Sequence, residues 1–350
     1  MRATGKVVPV LLTSNVPLAR AHDLAMLDLD GVVYVGREAV PGAAEHIAAV
    51  RSAGMRVAFI TNNASRPPDE VAEHLTRLGV PAGRADVVTS AQAAARMVAD
   101  TYGVGVKVLC LGGPGLAAAL AEAGLVPVGA DDEADVVASG YGPELRWSEI
   151  MRAAVRIAEG LPWVASNTDH TIPTPFGVAP GHGVLVDTLR RFTGVTPAVA
   201  GKPARPLLDE TVRRVGGRRP LMVGDRLDTD VEGAHNAGVD SLLVLTGVTG
   251  PAQLVAAPPR LRPSYISVDL AGLLASHPAP AAEGGGWVLG GWRAEVDRGG
   301  ALVVERTAPD AVPDDAWRVA STAAWQHLDD TGRVVDITGT RVPGIEGSAR

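Results

Sequence analysis

Short, wholly apolar runs recur along the first 275 residues, each ending in a polar residue and followed by a stretch with helical spacing. Leu24-Ala25-Met26-Leu27, for example, is apolar throughout and stops at Asp28. Runs of this length fit strands buried on both faces, as in a parallel sheet. Arg56–Thr61, Val106–Leu111, Val136–Ser139, Trp163–Asn167, Pro220–Asp225 and Ser241–Thr246 have the same character. Helices are expected between them over Ala43–Ala53, Gly115–Ala123, Trp147–Glu159, Val184–Thr193 and Pro206–Val215. Gly54 and Gly79 are the expected stops of two helices, Ser65 an N-cap ahead of Pro67-Pro68, and Thr229 with Glu232 a capping box. Strand and helix in alternation predict an α/β fold with a doubly wound parallel sheet.

The pattern changes twice. Residues 23–89 and 197–275 share one style and form the expected core. Residues 90–196 repeat the alternation as an insertion. Pro278, Pro280 and Gly284-Gly285-Gly286 then read as a linker over 276–286. Beyond it, Trp292–Asp297 and Ala301–Arg306 resemble a hairpin around Arg298-Gly299-Gly300. A helix near Asp314–His327 and a strand near Val334–Ile337 complete a small α+β appendage at 287–340. Residues 1–22, with Arg2 and Lys6 ahead of a short apolar run broken by Pro9, are expected to be a flexible leader.

Composition narrows the function. The net charge of −7 gives no general attraction to nucleic acid or an anionic membrane. No apolar run is long enough for a membrane span. One cysteine, Cys110, excludes an intramolecular disulfide and a cysteine-rich metal site. The expected setting is cytoplasmic.

The candidate chemistry sits where strands end. Asp28 and Asp30 close the first strand and Thr61-Asn62-Asn63 the second. Lys202 precedes a helix in Gly201-Lys202-Pro203. Asp225 closes a later strand, with Asp228 and Asp230 just beyond. Ligands of doubly wound sheets bind at the carboxyl ends of strands. Residues two apart on a strand project to one side, so Asp28 and Asp30 can share a site. Clustered carboxylates repel each other unless a cation neutralises them, and an all-oxygen set suits Mg²⁺ with a phosphate substrate. One carboxylate can then attack phosphorus, Asp30 can protonate the leaving alcohol, and Thr61 and Lys202 can hold the phosphoryl group. Asp228 reads as a solvated carboxylate or a ligand, and Asp230 as a supporting group or a helix cap. Leu111-Gly112-Gly113-Pro114-Gly115 lacks dinucleotide-loop spacing and reads as a tight turn.

Taken together, Asp28-Leu-Asp30-Gly31-Val32, Thr61-Asn62-Asn63, Gly201-Lys202-Pro203 and Gly224-Asp225-Arg226-Leu227-Asp228-Thr229-Asp230 resemble the four signatures of the haloacid dehalogenase superfamily of phosphatases. The interval between the second and third resembles the type with a large α/β cap inserted there. The resemblance covers roughly residues 23–275. It implies a Rossmann-like core, an aspartyl-phosphate on Asp28 and acid/base work by Asp30. It further implies Mg²⁺ held by Asp28, Asp225 and the Asp30 carbonyl, and a phosphate-binding role for Lys202, with Thr61, Asn62 and Asn63 on the phosphate side. Asn167 and Asp169 fall where such a cap is aimed at the site, and His182 lies nearby. The appendage is similar to the tail of a subgroup acting on glycerol 3-phosphate, so a small phosphorylated metabolite is the expected partner. 2-Phosphoglycolate and 4-nitrophenyl phosphate are the alternatives within the family, and pairing of two copies is a further expectation. A phosphoacceptor signalling domain shares the clustered Asp, Thr and Lys. It needs neither the insertion nor an Asp two residues past the acceptor, and Asp30 argues against it.

Overall fold

The structure is a computed structural model and describes residues 11–342 except Pro175. The chain divides into two compact units. Of the described residues, one comprises 11–35, Val40–Arg56 and 218–342. The other comprises Gly36–Ala39 and Val57–Gly217.

The first unit is built on four adjacent parallel strands in the order Tyr265–Ser267, Asp240–Val244, Pro220–Gly224, Leu24–Leu27. Leu24–Leu27 is buried at every position, the result expected of an apolar run covered on both faces. Leu27 pairs with Val223 and Val223 with Leu242, so these strands reach their carboxyl ends together. Asp28 and Asp225 therefore emerge from one edge. Helix Ala43–Ser52 ends ahead of Gly54, whose φ of +91° fits the stop expected from the sequence.

The α+β appendage belongs to the same unit. Its sheet is an antiparallel meander of Ala281–Glu283, Gly286–Leu289, Trp292–Val296 and Leu302–Arg306, covered by helix Pro313–Thr331. The appendage and the N-terminal segment depart from the expected pattern at three places. The expected linker 276–286 holds a strand, because Gly284-Gly285 is the turn of a hairpin; both glycines have φ > 0, at +55° and +82°. The expected strand Val334–Ile337 is irregular, with one isolated bridge between Ala301 and Asp336. The expected leader is packed over its described part. Leu11 is buried in a core cluster, and Ser14 pairs with His277 through two backbone hydrogen bonds. Residues 1–10 lie outside the described residues.

The second unit contains Val57–Thr61 of the strand Arg56–Thr61, which pairs in parallel with Val87–Thr89, and the inserted α/β cap. The cap's parallel sheet runs Ala198–Val199, Trp163–Ala165, Val136–Ser139, Lys107–Leu111, Val126–Val128. Leu109, Leu111, Val137, Ile157 and Leu189 form its core. Gly115 opens helix Pro114–Glu122 where a Cβ would lie 2.7 Å from the Ala64 carbonyl, so the glycine-rich turn serves a close backbone approach. Ser65 does not cap its helix. Pro67 takes the N-cap position with ψ 153°, because a residue before proline is pushed out of the helical region, and Ser65 turns back onto Asn63.

Candidate active site

Strand Pro220–Gly224 hands over to Asp225, which is fully buried. After Arg226, the five residues Leu227–Val231 wind as a single wide π-type turn rather than as a capped α-helix. The expected Thr229–Glu232 capping box is replaced by the Asp230 carboxylate. Its Oδ2 accepts the backbone N–H groups of Asp225 at 3.1 Å and Arg226 at 3.0 Å. A carboxylate is the stronger acceptor, and the extra residue of the wide turn brings it back over the strand end. A Cβ on Gly224 would collide with Asp230, so that position needs glycine.

Asp28, Asp225 and Asp230 bring carboxylate oxygens within 4.8 Å of one another. The surroundings are shaped to this cluster. A Cβ on Gly31 would fall 2.5 Å from Asp225 Oδ2 and one on Gly247 would collide with it. Val248 N–H donates to the same oxygen at 2.6 Å, and Thr246 Oγ1 donates to the Gly31 carbonyl at 2.5 Å. Three carboxylates this close, two of them buried, are costly unless a cation shares them. A hard divalent cation with oxygen ligands fits this donor set. Asp30 lies at the following turn, where it bridges to Tyr34, and its carboxylate is outside this three-carboxylate group. Asp228 is mostly solvated and paired with Arg226 through bonds of 3.0 and 2.8 Å. Burial pushes its carboxyl up, but the Arg226 hydrogen bonds and charge prevail and hold it below the usual range. That favours the solvated reading over a ligand role.

In the second unit the predicted polar residues form a hydrogen-bonded knot around Asn62. Its Nδ2 donates to Asp169 Oδ1 at 3.0 Å and to the Lys202 carbonyl at 2.9 Å, while its Oδ1 accepts Lys202 N–H at 2.8 Å. Both amide hydrogens are thus used within the protein. The Asn62 side chain therefore orients Lys202 and Asp169. Lys202 is buried, and a Cβ at the adjacent Gly201 would strike Asn62 Oδ1 at 2.6 Å. Asn167, also buried, donates to the Asn62 carbonyl at 2.6 Å and accepts from Asp169 N–H at 3.1 Å. Asn63 Oδ1 accepts both the N–H and the hydroxyl of Ser65, and Thr61 Oγ1 accepts Asn63 N–H at 3.0 Å. Thr61 keeps its hydroxyl hydrogen to donate. His182 Nδ1 meets the Asn167 carbonyl at 2.9 Å, which requires the Nδ1–H tautomer. Burial lowers its pKa to about 4, so the ring is neutral.

Sequence reasoning missed Thr246-Gly247-Val248, which grip the Asp28 and Asp225 turns, and Ser90, whose hydroxyl donates to the Asn62 carbonyl at 2.6 Å. The first group was legible in principle, being another small polar stretch beyond a strand's carboxyl end. A cavity of about 740 Å³ in the second unit is lined by Arg84, Arg96, Arg213 and Arg214. Each of these is already paired with Asp or Glu, which leaves no unbalanced charge to attract a phosphate.

Comparison with known proteins decides the family. Residues 25–126 match the haloacid dehalogenase-like hydrolase profile and residues 199–273 a second, HAD-hydrolase-like profile. A D-glycerol 3-phosphate phosphatase of Mycobacterium tuberculosis is 43% identical over 88% of this chain and 87% of its own. The chain belongs to the haloacid dehalogenase-like hydrolases. A crystal structure of glycerol phosphate phosphatase from Mycobacterium tuberculosis in complex with magnesium superposes with a TM-score of 0.79 at 42% identity, covering 90% of this chain and 93% of that one. A 5'-nucleotidase of Bacillus subtilis is 35% identical over 64% of this chain and 87% of its own. This hydrolase is a phosphoric monoester hydrolase whose substrate is a phosphorylated small molecule. Among the described residues no helix is long and apolar enough to cross a membrane.

Proposed function

We propose that this phosphatase cleaves the monoester of a small polyol, glycerol 3-phosphate foremost, with Mg²⁺ as cofactor. The observation that carries the substrate is the extent of the match. At 88% of the chain it exceeds what core and cap contain and runs on into the appendage, whereas the nucleotidase match stops at 64%.

In this reading Asp28 and Asp225 hold the cation, the Asp30 carbonyl adds a ligand, and Asp230 fixes the Asp225 turn. The bound cation offsets negative charge between carboxylates and phosphate. Asp28 attacks phosphorus to give an aspartyl-phosphate as the P–O bond to the alcohol breaks. Asp30 delivers its proton to that alkoxide and later takes one from the water that releases phosphate. Thr61 O–H and Lys202 bind phosphoryl oxygens, and Asn62 holds Lys202 in place. Asn63 shapes the turn after Thr61, and Asn167 with Asp169 aligns the cap segment that selects the alcohol.

The test is phosphate release with Mg²⁺ across glycerol 3-phosphate, 2-phosphoglycolate, 4-nitrophenyl phosphate, a 5'-nucleotide and sugar phosphates. The highest kcat/KM is expected for glycerol 3-phosphate. A clear preference for another ester would replace the substrate, and a stable phosphoprotein without turnover would replace the enzymatic reading by a phosphoacceptor.

A further inference from the structure

The segment that grips Asp225 is short and is tied to the C-terminal appendage. Val248 N–H donates to Asp225 Oδ2 at 2.6 Å and Thr249 N–H to the Asp225 carbonyl at 3.2 Å. The five-residue helix Pro251–Val255 starts two residues after Thr249. So short a helix is not stable on its own, and its last carbonyls have no partners within it. Ala257 N–H reaches back to the Leu254 carbonyl at 3.2 Å, and the shorter bond to that carbonyl comes from the appendage. The Leu254 carbonyl accepts the indole N–H of Trp325 at 2.8 Å, and Val255 is buried in the appendage core beside Ala320 and Ala324. Trp325 is itself fixed. It is 3% exposed, the Arg262 guanidinium lies 5.3 Å from its ring centroid, and Arg262 pairs with Asp329 through two bonds of 2.7 Å.

We propose that Trp325 is a positioning residue for the cation site: through the Leu254 carbonyl and helix Pro251–Val255 it sets the loop 246–249 that holds Asp225. The appendage then contributes to catalysis without touching substrate. This rests on the reading of Asp225 as a cation ligand.

Trp325→Phe keeps the ring and removes the N–H. Mg²⁺ binding to the full-length variant is measured by titration calorimetry, with Trp287→Phe and Asp225→Asn alongside. The Trp287 indole bonds Gln326 instead, at 3.1 Å. The expected result is Mg²⁺ binding weakened about 3- to 10-fold in Trp325→Phe, at or below the ~10- to 100-fold typical when a group bonded directly to a ligand is lost. The amides of 246–255 should exchange hydrogen faster, and Trp287→Phe should bind like the parent. Unchanged Mg²⁺ affinity in folded Trp325→Phe, with binding lost in Asp225→Asn, overturns the positioning role. Unchanged binding in Asp225→Asn overturns the cation reading itself. If Trp325→Phe does not fold, Asp329→Asn takes its place, since it loosens Arg262 over the ring. It should weaken Mg²⁺ in the same direction, and no shift overturns the proposal.

Discussion

Asp230 and Asp30 show how similar carboxylates divide their work by what surrounds them. Asp230 is buried and accepts two backbone N–H groups. Asp230→Ala leaves both donors unsatisfied, at about 1–3 kcal/mol each. Its urea midpoint should fall well below the parent's, and Mg²⁺ should bind more weakly. Asp30 lies outside the carboxylate group, so Asp30→Asn should bind Mg²⁺ nearly as the parent does while losing roughly 10²- to 10⁴-fold in kcat, the usual scale of general acid–base assistance. Equal losses of Mg²⁺ affinity in both variants would contradict that division. Asp28→Asn should have no measurable turnover, because an amide oxygen does not displace an alkoxide from phosphorus. Asp28 and Asp225 were legible as candidates because each directly follows an apolar strand. The role of Asn62 was not. Its sequence neighbours point to phosphate, and only the fold brings Lys202 and Asp169 to its amide. A side chain's free hydrogen-bonding capacity depends on long-range partners that spacing does not reveal.

Elements were readable where a local rule acts alone. Leu24–Leu27, Val136–Ser139 and Pro206–Val215 have the bounds their patterns predict. Helix Ser90–Tyr102 was overlooked although Thr89 and Gln92 make a reciprocal capping box, a signature visible in sequence. The π-type turn could not be read, since it exists to return Asp230 to the strand end. The appendage is the element whose standing changed most. A linker would make it removable, yet its helix carries Trp317, 1% exposed, into the cluster of Leu227, Val231, Leu243 and Ile266. Asp314 accepts from Ser267 Oγ at 2.8 Å and Val268 N–H at 2.9 Å, closing the end of the outer strand Tyr265–Ser267. Trp317→Ala should therefore cost about 3–5 kcal/mol, the range for truncating a buried aromatic. A chain cut after residue 282 should yield insoluble or unfolded protein rather than a smaller active enzyme. Expression of that truncation, followed by circular dichroism and a phosphate-release assay, checks this, and a folded, active product would show the core to be self-sufficient.

For the whole molecule, the buried histidines set how stability responds to acid. His182 and His277 are both held neutral, with pKa lowered to about 4. Burial is the main cause in each, and for His277 the neighbouring Arg318 adds to it. Arg318 donates to His277 Nδ1 at 2.8 Å, and Nε2–H points at the Gly272 carbonyl at 2.8 Å, so a second proton has no place on the ring. The sign follows from which state takes protons. Above the ordinary histidine pKa of about 6.5 both states are neutral and stability is complete. Between there and about 4 the unfolded chain binds protons that the native one refuses, so stability falls as pH falls. At pH 5 the two histidines together remove roughly 4 kcal/mol relative to pH 8. Asp315 opposes this, because burial raises its carboxyl, while Asp228 and Glu210 are held low by their arginines and extend the loss to more acidic pH. Urea midpoints from pH 8 to pH 5 should therefore fall steeply below pH 6.5. In His277→Gln the slope of that fall should be shallower by about one proton, because glutamine takes up none in either state. A slope unchanged in His277→Gln would mean that His277 protonates in the native fold as readily as in the unfolded chain.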